Sequence, residues 1–266
     1  MDRNLLKSQL PTLLSPHIPK NVRRYTGLFF DGTFPRGVFG HYVDPQPFEG
    51  KIVVKTEDAL IIKVKPSFFN IVDRQLATND FPEGIRVKVT PYARRRFDGL
   101  RADTPEERIE QYSDGTQFLI KTHVLGSAPA PLPVPKPRCP ELAAMIECIE
   151  TMPAPDGARH ISHLLVDAGA RDFSCVDPDP VDIFKTPPAL RFSVTTEKFI
   201  GEVVVLYNRG PDLYAVELYQ AGEQVEVVDE VYFDMLGETL ERLIDDGKWR
   251  RIQVEALLKT GLRQSA

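Results

Sequence analysis

The sequence predicts an α+β protein in two parts: a small N-terminal β-barrel-like domain of SH3-like or OB-like kind, and a C-terminal antiparallel α+β domain. Three observations carry this. Short apolar runs bounded by turn residues crowd residues 25–124, with no long helical period between them, the pattern of a small all-β unit. From residue 138 onward, helical spacing alternates with strand-like runs. Between the two stands Ser127-Ala-Pro-Ala-Pro-Leu-Pro-Val-Pro-Lys-Pro137, whose alternating prolines fix φ, remove amide donors and favour an extended spacer. The expected divisions are therefore 1–126, a linker over 127–137, and 138–266.

Taken in order, residues 4–14 have amphipathic helical spacing that stops near Pro16. Strands are expected over 25–30, 51–55, 59–64, 68–72, 85–90 and 117–124, with tight turns at Glu57-Asp58 and Pro82-Glu83-Gly84. Beyond the prolines, 141–149 reads as a helix ended by Pro153, and 161–168 as a second stopped by Gly169. Strands follow over 190–195, 203–207, 213–219 and 224–228, the middle two joined by the turn Asn208-Arg209-Gly210-Pro211-Asp212. A helix over 233–244 ends at Asp245-Asp246-Gly247, and 250–254 reads as a last strand of the same domain.

The charge is uneven. Residues 1–126 hold 19 Lys/Arg against 15 Asp/Glu, a net +4, while 127–266 hold 14 against 23, a net −9. A mildly basic half joined to an acidic one bears on partners. No apolar run is long enough for a membrane-spanning helix, so no membrane insertion is expected. Lys7, Ser8, Gln9 and Pro11 interrupt the opening residues, which argues against a secretory leader. Cys139, Cys148 and Cys175 are an odd, scattered set and read as free thiols in a cytoplasmic protein.

Several chemistries are unsupported. Asp31-Gly32-Thr33 follows an apolar strand, but Phe29 occupies the place where a phosphotransferase would need a nucleophilic aspartate, and no Gly-x-Ser-x-Gly elbow occurs. A turn is the plainer account. Asp177-Pro178-Asp179-Pro180-Val181-Asp182 lacks the glycine and bidentate glutamate of a calcium loop. There is no phosphate-binding P-loop and no Gly-x-Gly-x-x-Gly; no cofactor and no catalytic centre are expected.

Two candidate sites remain. His160, His163 and Asp167 fall at i, i+3 and i+7, which on a helix share one face and can bring two imidazoles and a carboxylate to a metal. The alternative is a helix-start histidine beside a satisfied one. The second is Thr90-Pro-Tyr92-Ala-Arg94-Arg95-Arg96-Phe97-Asp98-Gly99-Leu100-Arg101. Arg94, Arg95, Arg96 and Arg101, with Tyr92 and Phe97 interleaved and Arg23 and Arg24 as possible neighbours, suit a binding surface for protein or for nucleic acid. Asp98 and Asp103 stand close enough in sequence to pair these arginines internally.

The strings Asn21-Val-Arg-Arg-Tyr25, Asp31-Gly-Thr-Phe-Pro-Arg-Gly37, Glu49-Gly-Lys-Ile-Val-Val-Lys-Thr-Glu-Asp58 and the arginine-rich run ending at Arg101 resemble the KlaA (KilA) family of the kla operon of IncP conjugative plasmids. Val166-Asp-Ala-Gly-Ala-Arg-Asp172 and Asp212-Leu-Tyr-Ala-Val-Glu217 belong to the same resemblance, and residues 50–76 are similar in pattern to the small β-module of KfrB-type plasmid proteins. The resemblance implies a cytoplasmic plasmid accessory protein in a setting of tellurite resistance and fertility inhibition, without established catalytic residues. The leading expectation is thus a non-enzymatic interaction protein whose partner is a host or conjugation protein; the alternative is a nucleic-acid-binding regulator using residues 94–101.

Overall fold

The computed structural model describes residues 1–126 and 128–257. In chain order the elements begin with α1 (Arg3–Leu14), β1 (Thr26–Phe30), β2 (Phe48–Lys55), β3 (Ala59–Lys65), β4 (Phe68–Asp73) and β5 (Arg86–Thr90). Then come β6 (Glu106–Gln111), β7 (Gln117–Thr122), α2 (Pro140–Thr151), α3 (Ile161–Asp167) and β8 (Arg171–Val176). The rest are β9 (Ala189–Thr195), β10 (Ile200–Asn208), β11 (Leu213–Gln220), β12 (Glu223–Val231), α4 (Leu236–Ile244) and β13 (Gln253–Ala256). Strands dominate and helices are fewer, an α+β fold.

The chain forms two compact units. One comprises Met1–Pro35, Asp44–Ala93 and the chain from Arg250; the other comprises Arg36–Val43 and Arg94–Trp249. The units therefore part at positions other than the proline stretch. Ser127 lies outside the described residues, and 128–137 belong to the second unit. Ala130 and Leu132 are buried there, and their amides are captured by Ser162 Oγ at 3.3 Å and Glu150 Oε1 at 2.7 Å. Alternating prolines leave few donors, and each of these two is satisfied by a helix beneath it. The stretch is wall, not spacer.

In the first unit, Asp2 starts α1 by accepting from the amides of Asn4 and Leu5 at 2.8 and 3.1 Å, the usual N-cap arrangement. Leu6, Leu10 and Leu14, four residues apart, bury one stripe of α1 against Ala59, Ile61, Phe69 and Ile71. Each such leucine contributes about 1.5–3 kcal/mol of burial. The sheet runs in the order β1-β4-β3-β2-β5-β13, antiparallel except for the parallel pair β1 and β4. Leu60 and Ile62 point to the opposite face, with Ile52, Val72, Val87, Val89, Ile252 and Val254. Burial on both faces explains why Ala59-Leu60-Ile61-Ile62 is continuously apolar.

This sheet keeps β1 and β13 as separate edges and closes no barrel. Gly50 lets β2 approach β3 closely: a Cβ there would stand 2.6 Å from Ile62 Cγ2 and 2.7 Å from the Lys63 carbonyl. The last strand also differs from expectation. β13 pairs with β5, Val254 opposite Val89, and so completes the first unit. A short apolar run specifies a strand but not the sheet it joins.

In the second unit, β9, β10, β11 and β12 form the expected antiparallel meander, and β8 adds at the β9 edge. One face carries Phe192, Val194, Val203, Val205, Val216 and Leu218 into a core shared with Leu142, Met145 and Ile149 of α2, Leu164 and Leu165 of α3, and Leu240 and Leu243 of α4. β6 and β7 form a separate two-stranded hairpin. Among the described residues no helix is long and apolar enough to cross a membrane.

Candidate functional site

The arginine-rich string is divided by the fold. Arg23 and Arg24 are exposed in the first unit, where Tyr92 also lies, edge-on to Phe34 with ring centres 5.6 Å apart. Arg94 begins the second unit's share and is fully buried; its Nη1 donates to the Ala158 carbonyl at 2.8 Å and its Nη2 to that of Tyr42 at 3.1 Å. Phe97 packs edge-on against Phe173, ring centres 5.1 Å apart.

The remaining arginines close a tight turn. Arg95 bridges Arg101 across it, and Arg96 N–H donates to the Leu100 carbonyl at 2.8 Å. Arg95 Nη1 reaches the Gly99 carbonyl at 2.8 Å, Arg96 holds Asp98 at 2.9 Å, and Arg101 grips Asp103 through Nε and Nη2 at 2.8 and 2.7 Å. Gly99 has φ 81, and Asp-Gly supplies that turn chemistry. Asp98 and Asp103 thus neutralise two of the four arginines, Arg96 and Arg101, while Arg94 and Arg95 are held by backbone carbonyls.

His160, His163 and Asp167 do not converge. His160 is the N-cap of α3, with φ −89 and ψ 165, so it stands outside the helix and the shared-face argument does not reach it. Its amide donates to His163 Nδ1 at 3.1 Å, and the two rings stack with centres 5.3 Å apart. His163 is fully buried, and burial, aided by the nearby His160 and Arg94, lowers its pKa to about 3. It is neutral at ordinary pH. Asp167 instead accepts from Arg159 at 2.7 Å. Among the described residues no group of three His, Cys, Asp or Glu side chains is placed to hold a metal ion.

Arg159 is the centre of that neighbourhood. Fully buried, it reaches Asp156, Asp167 and Asp245, each at 2.7 Å. The three contacts use three different nitrogens of the guanidinium fork, which ties the loop before α3, the end of α3 and the end of α4 together. The Asp31-Gly32-Thr33 string of the first unit is a turn: Asp31 Oδ1 accepts from the Thr33 amide at 3.2 Å and its hydroxyl at 2.7 Å. Burial raises the pKa of all three thiols, Cys139, Cys148 and Cys175, which keeps them protonated near neutral pH.

A different site is assembled in the second unit, where β10 ends, β11 begins and the chain leaves β12. Tyr207, Tyr214, Tyr232 and Phe233, with Asp212 and Glu141, line a cavity of about 270 Å³. The turn between β10 and β11 sets Asp212 at φ 59, a left-handed conformation that aspartate tolerates better than most residues. Its Oδ1 accepts from the Tyr207 hydroxyl at 2.5 Å, and the rings of Tyr207 and Tyr214 meet edge to face at 5.9 Å.

Electrostatics here favour the protonated phenols. The bond to Asp212, with burial, pushes Tyr207 up to about 12; burial first, then the neighbouring Cys148, takes Tyr214 to about 12. Glu141, in the first turn of α2, pairs with Arg209 at 3.1 Å, and Arg209 in turn lies 5.3 Å from the Phe184 ring centre. Tyr232 and Phe233 are 56% and 59% exposed. The residues lining the cavity come from three separated stretches, at 141–144, 207–214 and 232–233, with no common motif; only the turn at 208–212 and the paired aromatics after β12 are visible in sequence.

The β6–β7 hairpin is a second exposed feature. Ile109 and Leu119 sit directly opposite each other, 69% and 51% exposed, while Tyr112 stacks on Phe118 at 4.4 Å. No protein family, no curated protein and no solved structure was found to match this chain.

Proposed function

We propose that this protein is a cytoplasmic, non-enzymatic interaction protein of plasmid-accessory type, which docks a protein of its host or of the conjugation apparatus. One observation carries this: a cavity walled by Tyr207, Tyr214, Tyr232 and Phe233, with the last two largely in water. Aromatic side chains beside a pocket are the commonest energetic anchors of protein interfaces. The plasmid setting, with its tellurite-resistance and fertility-inhibition associations, rests on the sequence resemblance to kla-operon proteins.

The nucleic-acid alternative draws less support. Arg94 is buried, and Arg96 and Arg101 already hold aspartates. An SH3-like or OB-like relation for the first unit rests on its short-strand pattern alone.

Affinity capture from host cells carrying a conjugative plasmid, with quantitative comparison of the native chain and a Tyr232→Ala/Phe233→Ala variant, tests the docking role. A partner enriched by the native chain and lost with the variant supports it. Equal recovery by both, or no enrichment in repeated trials, removes it.

A further inference from the structure

We infer that the aromatic pocket takes the cationic side chain of an arginine or lysine presented by a basic segment of a protein partner. This rests on the docking role proposed above and adds the chemistry of the contact. The pocket combines two features that each select a cation. Four aromatic rings line it, and ring faces attract guanidinium and ammonium groups. Two carboxylates, Asp212 and Glu141, line the same cavity.

The carboxylates are not equivalent. Glu141 is committed to Arg209 at 3.1 Å and also accepts from Cys139 Sγ at 3.3 Å. Asp212 has a hydroxyl donor, Tyr207, on Oδ1, and no ion pair among the described residues. Its second oxygen is therefore available to a donor entering the pocket. Arg209 illustrates the same chemistry next door, bonded to Glu141 while lying near the Phe184 ring.

Other occupants fit less well. An anion would face both carboxylates, and a metal ion finds no set of three His, Cys, Asp or Glu donors among the described residues. The volume of about 270 Å³ is ample for one long side chain. At longer range, the pocket's own unit, residues 36–43 and 94–249, holds 17 Lys/Arg against 28 Asp/Glu, a net −11, which attracts a basic partner and speeds its encounter. Asp229 and Glu230, exposed just before the pocket's Tyr232, add to this field locally.

The test is an NMR titration of the full chain labelled on its tyrosine rings. The probes are N-acetyl-arginine methylamide and its citrulline counterpart, which has nearly the same shape without the charge. Saturable shifts of Tyr207, Tyr214 and Tyr232 with the arginine probe, absent with citrulline and about tenfold weaker in Asp212→Asn, support the inference. Asparagine suits the left-handed backbone at this position, so the variant keeps the turn. Equal shifts with both probes, or none that saturate with arginine, overturn it. If the titration fails while Tyr232→Ala/Phe233→Ala still loses a captured partner, the docking role stands and the cationic occupant falls. If it succeeds while no partner is captured, the cationic site stands and the docking role falls.

Discussion

The guanidinium of Arg159 lies 3.8 Å from the ring centre of Trp249, with three aspartates bound to its nitrogens. A buried cation satisfied on its edge by carboxylates and on its face by an indole joins α3 and α4 through charge, in addition to the apolar core they share. Removing it leaves three carboxylates without their shared cation.

Arg159→Met is therefore expected to destabilise the chain by about 3–5 kcal/mol, the range for breaking a buried ion pair by removing one partner. Trp249 is the single tryptophan, so its fluorescence reports urea unfolding directly. A midpoint unchanged from the native chain would contradict the structural role given to this cluster.

His163 predicts a pH dependence. Its folded pKa is depressed to about 3, below the ordinary histidine value of about 6.5. Between these values the unfolded chain binds the extra proton, so stability rises with pH through this window and is lost as pH falls from about 6.5. The slope from one such proton is about 1.4 kcal/mol per pH unit. Urea unfolding across pH 4.5–6.5 should show it, and His163→Gln should flatten it.

Gly50→Ala forces a Cβ against Ile62 Cγ2 and the Lys63 carbonyl. The backbone oxygen cannot rotate away, so the strands must shift apart. A loss of about 1–3 kcal/mol is expected, read as a lower thermal midpoint.

At the pocket, Asp212→Asn removes the charge that, through its hydrogen bond, is the main cause of the raised Tyr207 pKa. Spectrophotometric titration of the native chain should show two tyrosines ionising near pH 12. In the variant one of them should move down towards the ordinary phenol value.

Local pattern determined a good deal of this protein. The apolar runs over 59–64 and 68–72, the helical stripe of Leu6, Leu10 and Leu14, and the turn at 208–212 each express a local pattern or backbone preference, and each became the element it predicted. β6 and β8 were not legible, because Glu106-Glu107-Arg108 and Arg171-Asp172 are charged residues on exposed strands. The proline stretch looked like a spacer because φ restriction is local, whereas the capture of the Ala130 and Leu132 amides depends on helices elsewhere in the chain.

The sites divide in the same way. Spacing alone can nominate His160, His163 and Asp167, or a run of arginines. It cannot say that His160 stops one residue short of the helix, that Asp167 turns to Arg159, or that Arg94 is buried. Tertiary structure alone decided the assignment of β13 to the first sheet and the meeting of Tyr207, Tyr214 and Tyr232 around Asp212. The physical reason is common to both: secondary structure follows from each residue's near neighbours, while partners across a sheet or a pocket are selected by packing and charge between segments far apart in sequence.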